Sequence, residues 1–144
     1  DIQNSFVNEC KLKFPNNNFF YRDISEKPFD DIYDYIVLSG LFHQRRTTFI
    51  PRWEKFWQCL LNNCFKMARK GISFNFISPF VDFYQTEVYY VNLPKLIYFI
   101  NDELSRFFSI THNYPLYELT VFVYKEEYIK NQYSEIEFQK YFKL

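Results

Sequence analysis

The segment that most constrains the fold is a short apolar run that ends in a serine and a glycine. Residues 33–39 read YDYIVLS, and positions 35–38 are apolar without interruption. A continuous apolar run of this kind is typical of a parallel strand that is covered on both faces. Gly40 follows at once and is one of only two glycines in the chain. It predicts a tight corner at the carboxyl end of this strand.

The residues around this strand alternate between helical and extended patterns. Strands are predicted at 18–24, 33–39, 71–78, 109–114 and 117–125, and helices at 4–14, 50–71, 93–108 and in the charged segment after 125. Gly71 is interpreted as the stop signal of the long helix. Only Pro115 and Leu116 join the last two strands, a connection too short for a parallel crossover. This order predicts an α/β fold with a mostly parallel sheet, helices on both faces and a closing antiparallel hairpin.

Composition narrows the possible partners. Seventeen basic and seventeen acidic residues give a net charge of zero, so no overall field attracts nucleic acid or a membrane surface. The three cysteines form no CxxC pair, which favours a reducing compartment, and we expect a cytoplasmic protein. No apolar stretch approaches the ~20 residues that span a bilayer. His43 and His112 lie in no short array of metal ligands, so no metal site is expected.

Polar residues at the predicted strand ends are the candidates for chemistry. Ligands of open parallel sheets bind at the carboxyl ends of the strands, where loops and helix N-termini converge. Asp1 precedes the first helix, Asp23 ends the second segment, and Ser39 with Gly40 ends the third. Carboxylates at such ends accept hydrogen bonds from ribose hydroxyls or an adenine amino group. The structural alternative is that Asp1 caps the following helix and Asp23 caps a turn.

Five stretches in this order resemble one enzyme family. They are DIQNSFVNECKLKFPNNNFFYRDI, YDYIVLSGLF, KMARKGISFNFIS, VYYVNLPKLIYFI and HNYPLYELTVFVYK, which together reach over most of residues 1–125. The succession resembles the later portion of class I S-adenosylmethionine-dependent methyltransferases of the small bacterial type. The resemblance implies a Rossmann-like sheet whose last strand is inserted antiparallel, with the N-terminal strands absent from this chain. It also implies a methyltransferase-like domain over 1–125 and a helical extension over 126–144.

The resemblance implies S-adenosylmethionine as the cofactor and assigns positions to it. Asp1 matches the family's ligand of the ribose diol. Asp23 and Ile24 match the strand end that binds adenine. The corner that flanks the methionine moiety and the methyl group is matched by Ser39, Gly40 and Leu41. We expect Leu41, Phe42 and His43 to turn toward the acceptor beside it.

One hallmark of the family is absent from the sequence. The glycine-rich loop that lets backbone approach the cofactor has no counterpart, because neither Gly40 nor Gly71 lies in a GxG context. We expect that the chain begins after this loop. We therefore also expect it to bind the cofactor poorly, to be inactive by itself and to fold only together with the missing strands. The alternative is a catalytically silent methyltransferase-like domain that serves as an interaction partner.

Methyl transfer needs positioning and, for a hydroxyl or amine acceptor, a general base. His43, just after the corner, is the best-placed base because imidazole titrates near neutrality. The alternative is a histidine that packs in a loop. His112 is expected inside a strand and in a structural role.

The acceptor is predicted to be a small molecule or a sugar-type metabolite. The DNA-amino-methylating branch, which is similar in fold, carries (N/D)PP(Y/F) at the corner where this chain has SGLF. This difference and the neutral charge disfavour a nucleic-acid acceptor. Aromatic residues after the predicted strand at 71–78 are candidates for an acceptor pocket, namely Tyr84, Tyr89 and Tyr90. Trp53 and Trp57 are interpreted as core residues on a helical stripe.

Overall fold

A computed structural model describes residues 1–142 of the chain. The helices in this range are α1 (Asn4–Lys13), α2 (Ile50–Met67), α3 (Leu93–Phe99), α4 (Glu126–Gln132) and α5 (Ile136–Gln139), and the strands are β1 (Tyr33–Leu38), β2 (Ala68–Ile77), β3 (Phe108–Thr111) and β4 (Glu118–Tyr124). A π-helical turn, Ile100–Leu104, continues α3. No helix within residues 1–142 is both long and apolar enough to cross a membrane.

The described strands form one mixed sheet in the order β1-β2-β4-β3. β1 pairs with β2 in parallel, and β4 pairs antiparallel with both β2 and β3. β4 is thus inserted between two strands that precede it in the chain. The predicted hairpin is confirmed, although β3 ends at Thr111, so His112 lies beyond the strand and is exposed.

The core lies on the face of the sheet that packs against α2 and α3. Ile72, Phe74 and Phe76 of β2 point to this face, and Trp57 of α2 lies edge-on to the rings of Phe76 and Phe99. Proline near the start of α2 and the apolar spacing of that helix both fit its observed position. Burial of these large aromatic side chains is the main stabilising contribution to the domain.

The sequence predicts that both faces of β1 are covered, but the face opposite α2 is largely exposed. Tyr35 and Val37 point away from α2 and are 47% and 72% exposed. The aromatic partner that Tyr35 has is Tyr128 of α4, in edge-to-face contact. The expectation of cover on both faces is therefore wrong for β1, because apolar residues in sequence do not reveal which face a helix will occupy.

The predicted strand at 18–24 is also wrong. Residues 20–22 are extended, but within residues 1–142 they pair with residue 1 and not with a full strand. The Asp1 nitrogen donates to the Phe20 carbonyl (3.0 Å), and the Arg22 nitrogen donates to the Asp1 carbonyl (2.9 Å). In a parallel pair of strands, one residue forms hydrogen bonds with two residues of the neighbouring strand, which lie on either side of the residue opposite it. One such rung is too short to count as a strand.

The C-terminal segment forms two short helices instead of the single helix predicted. α4 and α5 are separated at residues 133–135. The segment packs on the sheet edge, where the Lys125 nitrogen donates to the Lys70 carbonyl (2.8 Å) and the ring of Phe142 lies 5.6 Å from that of Phe107. The division into a domain over 1–125 and an extension over 126–144 stays a prediction, and residues 143–144 lie outside the described range.

Gly71 lies inside β2, so its interpretation as the end of the long helix is wrong. α2 ends at Met67, and the strand begins directly after it. The reason for a glycine is close approach of the neighbouring strand: a Cβ at position 71 would overlap the Val123 carbonyl oxygen and lie 3.2 Å from the Tyr124 Cα. Both are backbone atoms held by the β2–β4 ladder, so they cannot move aside easily.

We expect Gly71→Ala to lower the free energy of unfolding by about 1 to 3 kcal/mol, the usual cost of overpacking. Gly40→Ala is the matched control, since a Cβ there meets no atom within 4 Å and the cost is restricted to the positive φ of 72°. Equilibrium urea denaturation measures both. An undisturbed stability of Gly71→Ala would contradict the close approach of β4.

Candidate active site

The corner after β1 depends on the backbone conformation of Gly40. Its φ of 72° lies in the left-handed region, which glycine adopts without steric cost. The Gly40 nitrogen donates to Asn75 Oδ1 of β2 (2.8 Å), which fixes the corner to the neighbouring strand. Ser39, Gly40 and Leu41 are all exposed. The corner therefore borders open space at the carboxyl ends of the two parallel strands.

Asn75 connects this corner to a carboxylate on β4. Its Nδ2 donates to Glu118 Oε2 at 2.5 Å, and the other carboxylate oxygen, Oε1, lies 3.8 Å from His43 Nδ1. Glu118 lies opposite Ile77, the last residue of β2, so it lies at the same end of the sheet as the corner after β1. Two strands, β2 and β4, and the loop after β1 thus meet in one polar cluster.

His43 is held against the protein with one ring nitrogen unpaired. Its side chain is 15% exposed, and its backbone carbonyl accepts a hydrogen bond from the Tyr89 nitrogen (2.8 Å). Within residues 1–142, Nε2 is buried and has no hydrogen-bond partner. Burial lowers the pKa of His43 below its ordinary value, and the negative charge of Glu118 acts in the opposite direction. The neutral ring, which accepts a proton, is therefore favoured near neutral pH.

Phe42 does not turn toward an acceptor, and that expectation is wrong. Its ring is fully buried, stacked on Phe76 at 4.8 Å and packed against Phe74. The Trp53 indole nitrogen donates to the Phe42 carbonyl (3.3 Å). Leu41, by contrast, is 51% exposed. Leu41 and Phe42 are adjacent in sequence, but the chain turns between them, so one side chain points to solvent and the other into the core.

Asp23 makes the local turn bonds of the structural alternative, whereas Asp1 bonds locally but does not cap α1, because Gln3 is the N-cap residue and has no side-chain cap bond. Asp1 Oδ1 accepts from the Gln3 nitrogen (2.7 Å), and Asp23 Oδ1 accepts from the nitrogen and hydroxyl of Ser25 (2.9 and 2.6 Å). Both side chains are exposed. In the described part of the chain, each carboxylate uses one oxygen for these bonds, which leaves the second oxygen able to accept a further hydrogen bond.

A groove of about 480 Å³ runs along the free edge of β1. It lies between this strand, α1 and the extended segment at 20–22, and Asp1 is one of its lining residues together with Ile24. Asp23 and the corner residues Ser39, Gly40 and Leu41 do not line it. The structure therefore brings Asp1 and Ile24 together but does not gather all the predicted cofactor residues around one cavity.

The aromatic candidates for an acceptor pocket separate into two groups. Tyr89 is buried, and its hydroxyl donates to Glu54 Oε1 (3.1 Å), so a substrate role for it is wrong. Burial raises the pKa of Tyr89. Tyr84 is 68% exposed and lies edge-on to Tyr90 at 4.6 Å. Tyr84 and Tyr90 thus stay available at the surface, whereas Tyr89 anchors the loop to α2.

Sequence reasoning missed Glu118 and gave no role to Asn75. Glu118 stands at the start of a strand after a polar turn, a position where a carboxylate is usually solvated. Asn75 alternates with buried phenylalanines, and this shows only that it faces away from the core. No group of three or more residues able to hold a metal ion occurs within residues 1–142.

Comparison with known proteins gives one curated relative and a set of solved structures. A Mycobacterium tuberculosis protein named "Putative methyltransferase Rv1506c" is 29% identical over 94 residues, which are 64% of this chain and 57% of that protein. The chain thus spans little more than half the length of the curated relative that it matches. No protein-family model matches the chain.

Two crystal structures of magnesium protoporphyrin IX methyltransferase from Synechocystis PCC 6803 are similar in fold. The structure with bound S-adenosylmethionine has a TM-score of 0.52 at 13% identity and is matched over 85% of this chain and 57% of that one. The structure with bound S-adenosylhomocysteine has a TM-score of 0.57 at 10% identity, over 87% and 61% of the two chains. The resemblance found in the sequence is confirmed at the level of the fold: the chain shares the fold of these S-adenosylmethionine-dependent methyltransferase structures over 57% and 61% of their length.

Proposed function

We propose that the protein to which this chain belongs is an S-adenosylmethionine-dependent methyltransferase with a small-molecule or sugar-type acceptor. The observation that carries the proposal is the polar cluster at the carboxyl ends of β1 and β2. There an open glycine corner adjoins a buried histidine with an unpaired nitrogen. This cluster stands in a fold shared with solved structures that hold S-adenosylmethionine and S-adenosylhomocysteine.

The residues of this chain fit the chemistry of that cofactor. Carboxylates accept hydrogen bonds from hydroxyl and amino groups, and both Asp1 and Asp23 keep one oxygen for this purpose. In the proposal, Asp1 holds the ribose hydroxyls, and Asp23 with Ile24 holds the adenine. The methionine part is flanked by Ser39, Gly40 and Leu41. When bound, the cofactor supplies an electrophilic methyl group on a sulfonium sulfur.

His43 supplies the base in this proposal. An acceptor hydroxyl or amine gives its proton to Nε2 of His43 as it gains the methyl group, so the charge of the transferred proton stays on the imidazole. A neutral ring with a free lone pair suits this step. Because Nε2 has no exposed surface in the structure, the proposal requires the loop after β1 to move and expose it when the acceptor binds. The exposed side chain of Leu41 lies two residues before the base and offers an apolar contact to the acceptor.

Support for a small-molecule acceptor is compositional and comparative. The net charge of zero offers no field for a polyanion. The solved neighbours are named for a small-molecule substrate, a magnesium porphyrin. A catalytically silent interaction domain stays the competing function, because the only glycines, Gly40 and Gly71, form no glycine-rich loop.

The test is titration calorimetry of S-adenosylhomocysteine into the full-length protein. We expect binding, and we expect Asp23→Asn to weaken it about tenfold or more, the value of a charge-assisted hydrogen bond. Asp30→Asn is the matched control, an exposed aspartate seven positions along the same segment, and should bind like the parent. Absence of binding by the full-length protein would favour the silent domain. Binding that Asp23→Asn leaves unchanged would contradict the adenine assignment alone.

A further inference from the structure

We propose that Glu118 is a positioning residue, which holds the imidazole of His43 with its proton on Nδ1 and leaves Nε2 free to accept one. The role rests on the proposed function, since it concerns how the general base of methyl transfer is prepared. Glu118 and His43 lie on different elements, 75 positions apart in sequence. Their approach is a product of the tertiary fold.

The geometry around the imidazole is unequal on its two sides. Nδ1 faces the carboxylate of Glu118 at 3.8 Å, whereas Nε2 is buried without a partner in the described residues. A carboxylate accepts hydrogen bonds and cannot donate them when ionised, so it favours the tautomer with hydrogen on the facing nitrogen. The separation is longer than a hydrogen bond, as is common for catalytic groups before substrate binds.

Glu118 is itself held in place by the corner of the sheet. The Gly40 nitrogen can only donate, so Asn75 must present Oδ1 to it and Nδ2 to Glu118. Glu118 then uses Oε2 for Asn75 and keeps Oε1 for His43. The four residues close a ring, because Gly40 and His43 are three positions apart in the chain. The backbone corner and the orientation of the base are thereby coupled.

Other charged groups do not compete for this role. Among the described residues, Glu118 on β4 is the only charged side chain that shifts the pKa of His43. The loop packed against His43 contacts it through the backbone nitrogen of Tyr89, and β2 contributes the neutral Asn75. A purely structural ion pair would require a protonated histidine, which burial disfavours.

The ring tautomer is measured directly by nitrogen-15 NMR of the histidine side chains in the full-length protein. The variant His43→Gln assigns the His43 signals, because they are the ones that disappear from its spectrum. We expect the neutral His43 ring to carry hydrogen on Nδ1. Hydrogen on Nε2 would overturn the proposal. The measurement needs neither cofactor nor acceptor, so it succeeds or fails independently of the proposed function.

Glu118→Gln is the matching variant. Because Asn75 still presents its amide nitrogen, the introduced glutamine side chain must offer its oxygen to Asn75 and its own nitrogen to His43. A donor facing Nδ1 should move the ring hydrogen to Nε2 and shift the His43 titration to lower pH. Thermal denaturation verifies that the variant is folded. An unchanged tautomer and titration in the folded variant would show that Glu118 does not position His43.

Discussion

Replacing His43 with alanine is expected to lower methyl transfer by the full-length protein by about a factor of 10² to 10⁴, the usual contribution of a general base. The affinity for S-adenosylhomocysteine should stay nearly unchanged, because Asp1, Asp23 and Ile24, the residues proposed to hold the ribose and the adenine, lie on other segments of the chain. The assay counts the labelled methyl group that moves from S-adenosylmethionine into the small-molecule fraction of a cell extract.

The control for this variant is His112→Ala, which removes the other imidazole of the chain. His112 is exposed, and its ring is stacked on that of Phe80 at 6.5 Å. Its loss should leave the transfer rate close to that of the parent. The rate of the parent should fall only below the ordinary pKa of histidine, because burial lowers the pKa of His43 and keeps the base form present to lower pH. Full activity of His43→Ala would exclude His43 as the base.

The second large effect is on stability. Phe42→Ala is expected to reduce the free energy of unfolding by about 3 to 5 kcal/mol, because a fully buried ring is removed from contact with Phe74 and Phe76. The loss also releases the segment that holds His43, so a variant that still folds should transfer methyl groups more slowly. Equilibrium urea denaturation measures the first effect.

Phe80→Ala is the matched control for Phe42→Ala. This variant also removes a phenyl ring, but Phe80 is 68% exposed, so the change in the free energy of unfolding should stay within about 0.5 kcal/mol. If the two variants lose similar stability, the corner after β1 is not anchored in the core as described.

Much of the fold follows from local patterns in the sequence. The helical spacing of Trp53, Phe56 and Trp57 marks α2, and the short connection around Pro115 and Leu116, which spans residues 112–117 in the structure, marks the antiparallel hairpin. These features are local because a helix stripe and a short connection are each complete within one stretch of chain. The same holds for the corner, where Gly40 does adopt the backbone conformation that glycine allows.

The failures share a physical cause, which is contact between distant parts of the chain. The sequence pattern places Gly71 at a helix end because the strand that crowds it, around Val123, is more than fifty positions away. Likewise, the bond between Asn75 and Glu118 spans 43 positions and leaves no periodic signal. The burial of Phe42 is equally invisible in the sequence, because the direction of a side chain beyond a turn depends on tertiary packing.

The central claim, that the protein binds S-adenosylmethionine beside the corner after β1, is tested most directly by a crystal structure of the full-length protein with S-adenosylhomocysteine. The account predicts the adenine beside Asp23 and Ile24, the ribose hydroxyls on Asp1, and the sulfur next to Gly40 on the side of His43. A ligand bound elsewhere, or with its sulfur away from His43, would contradict it.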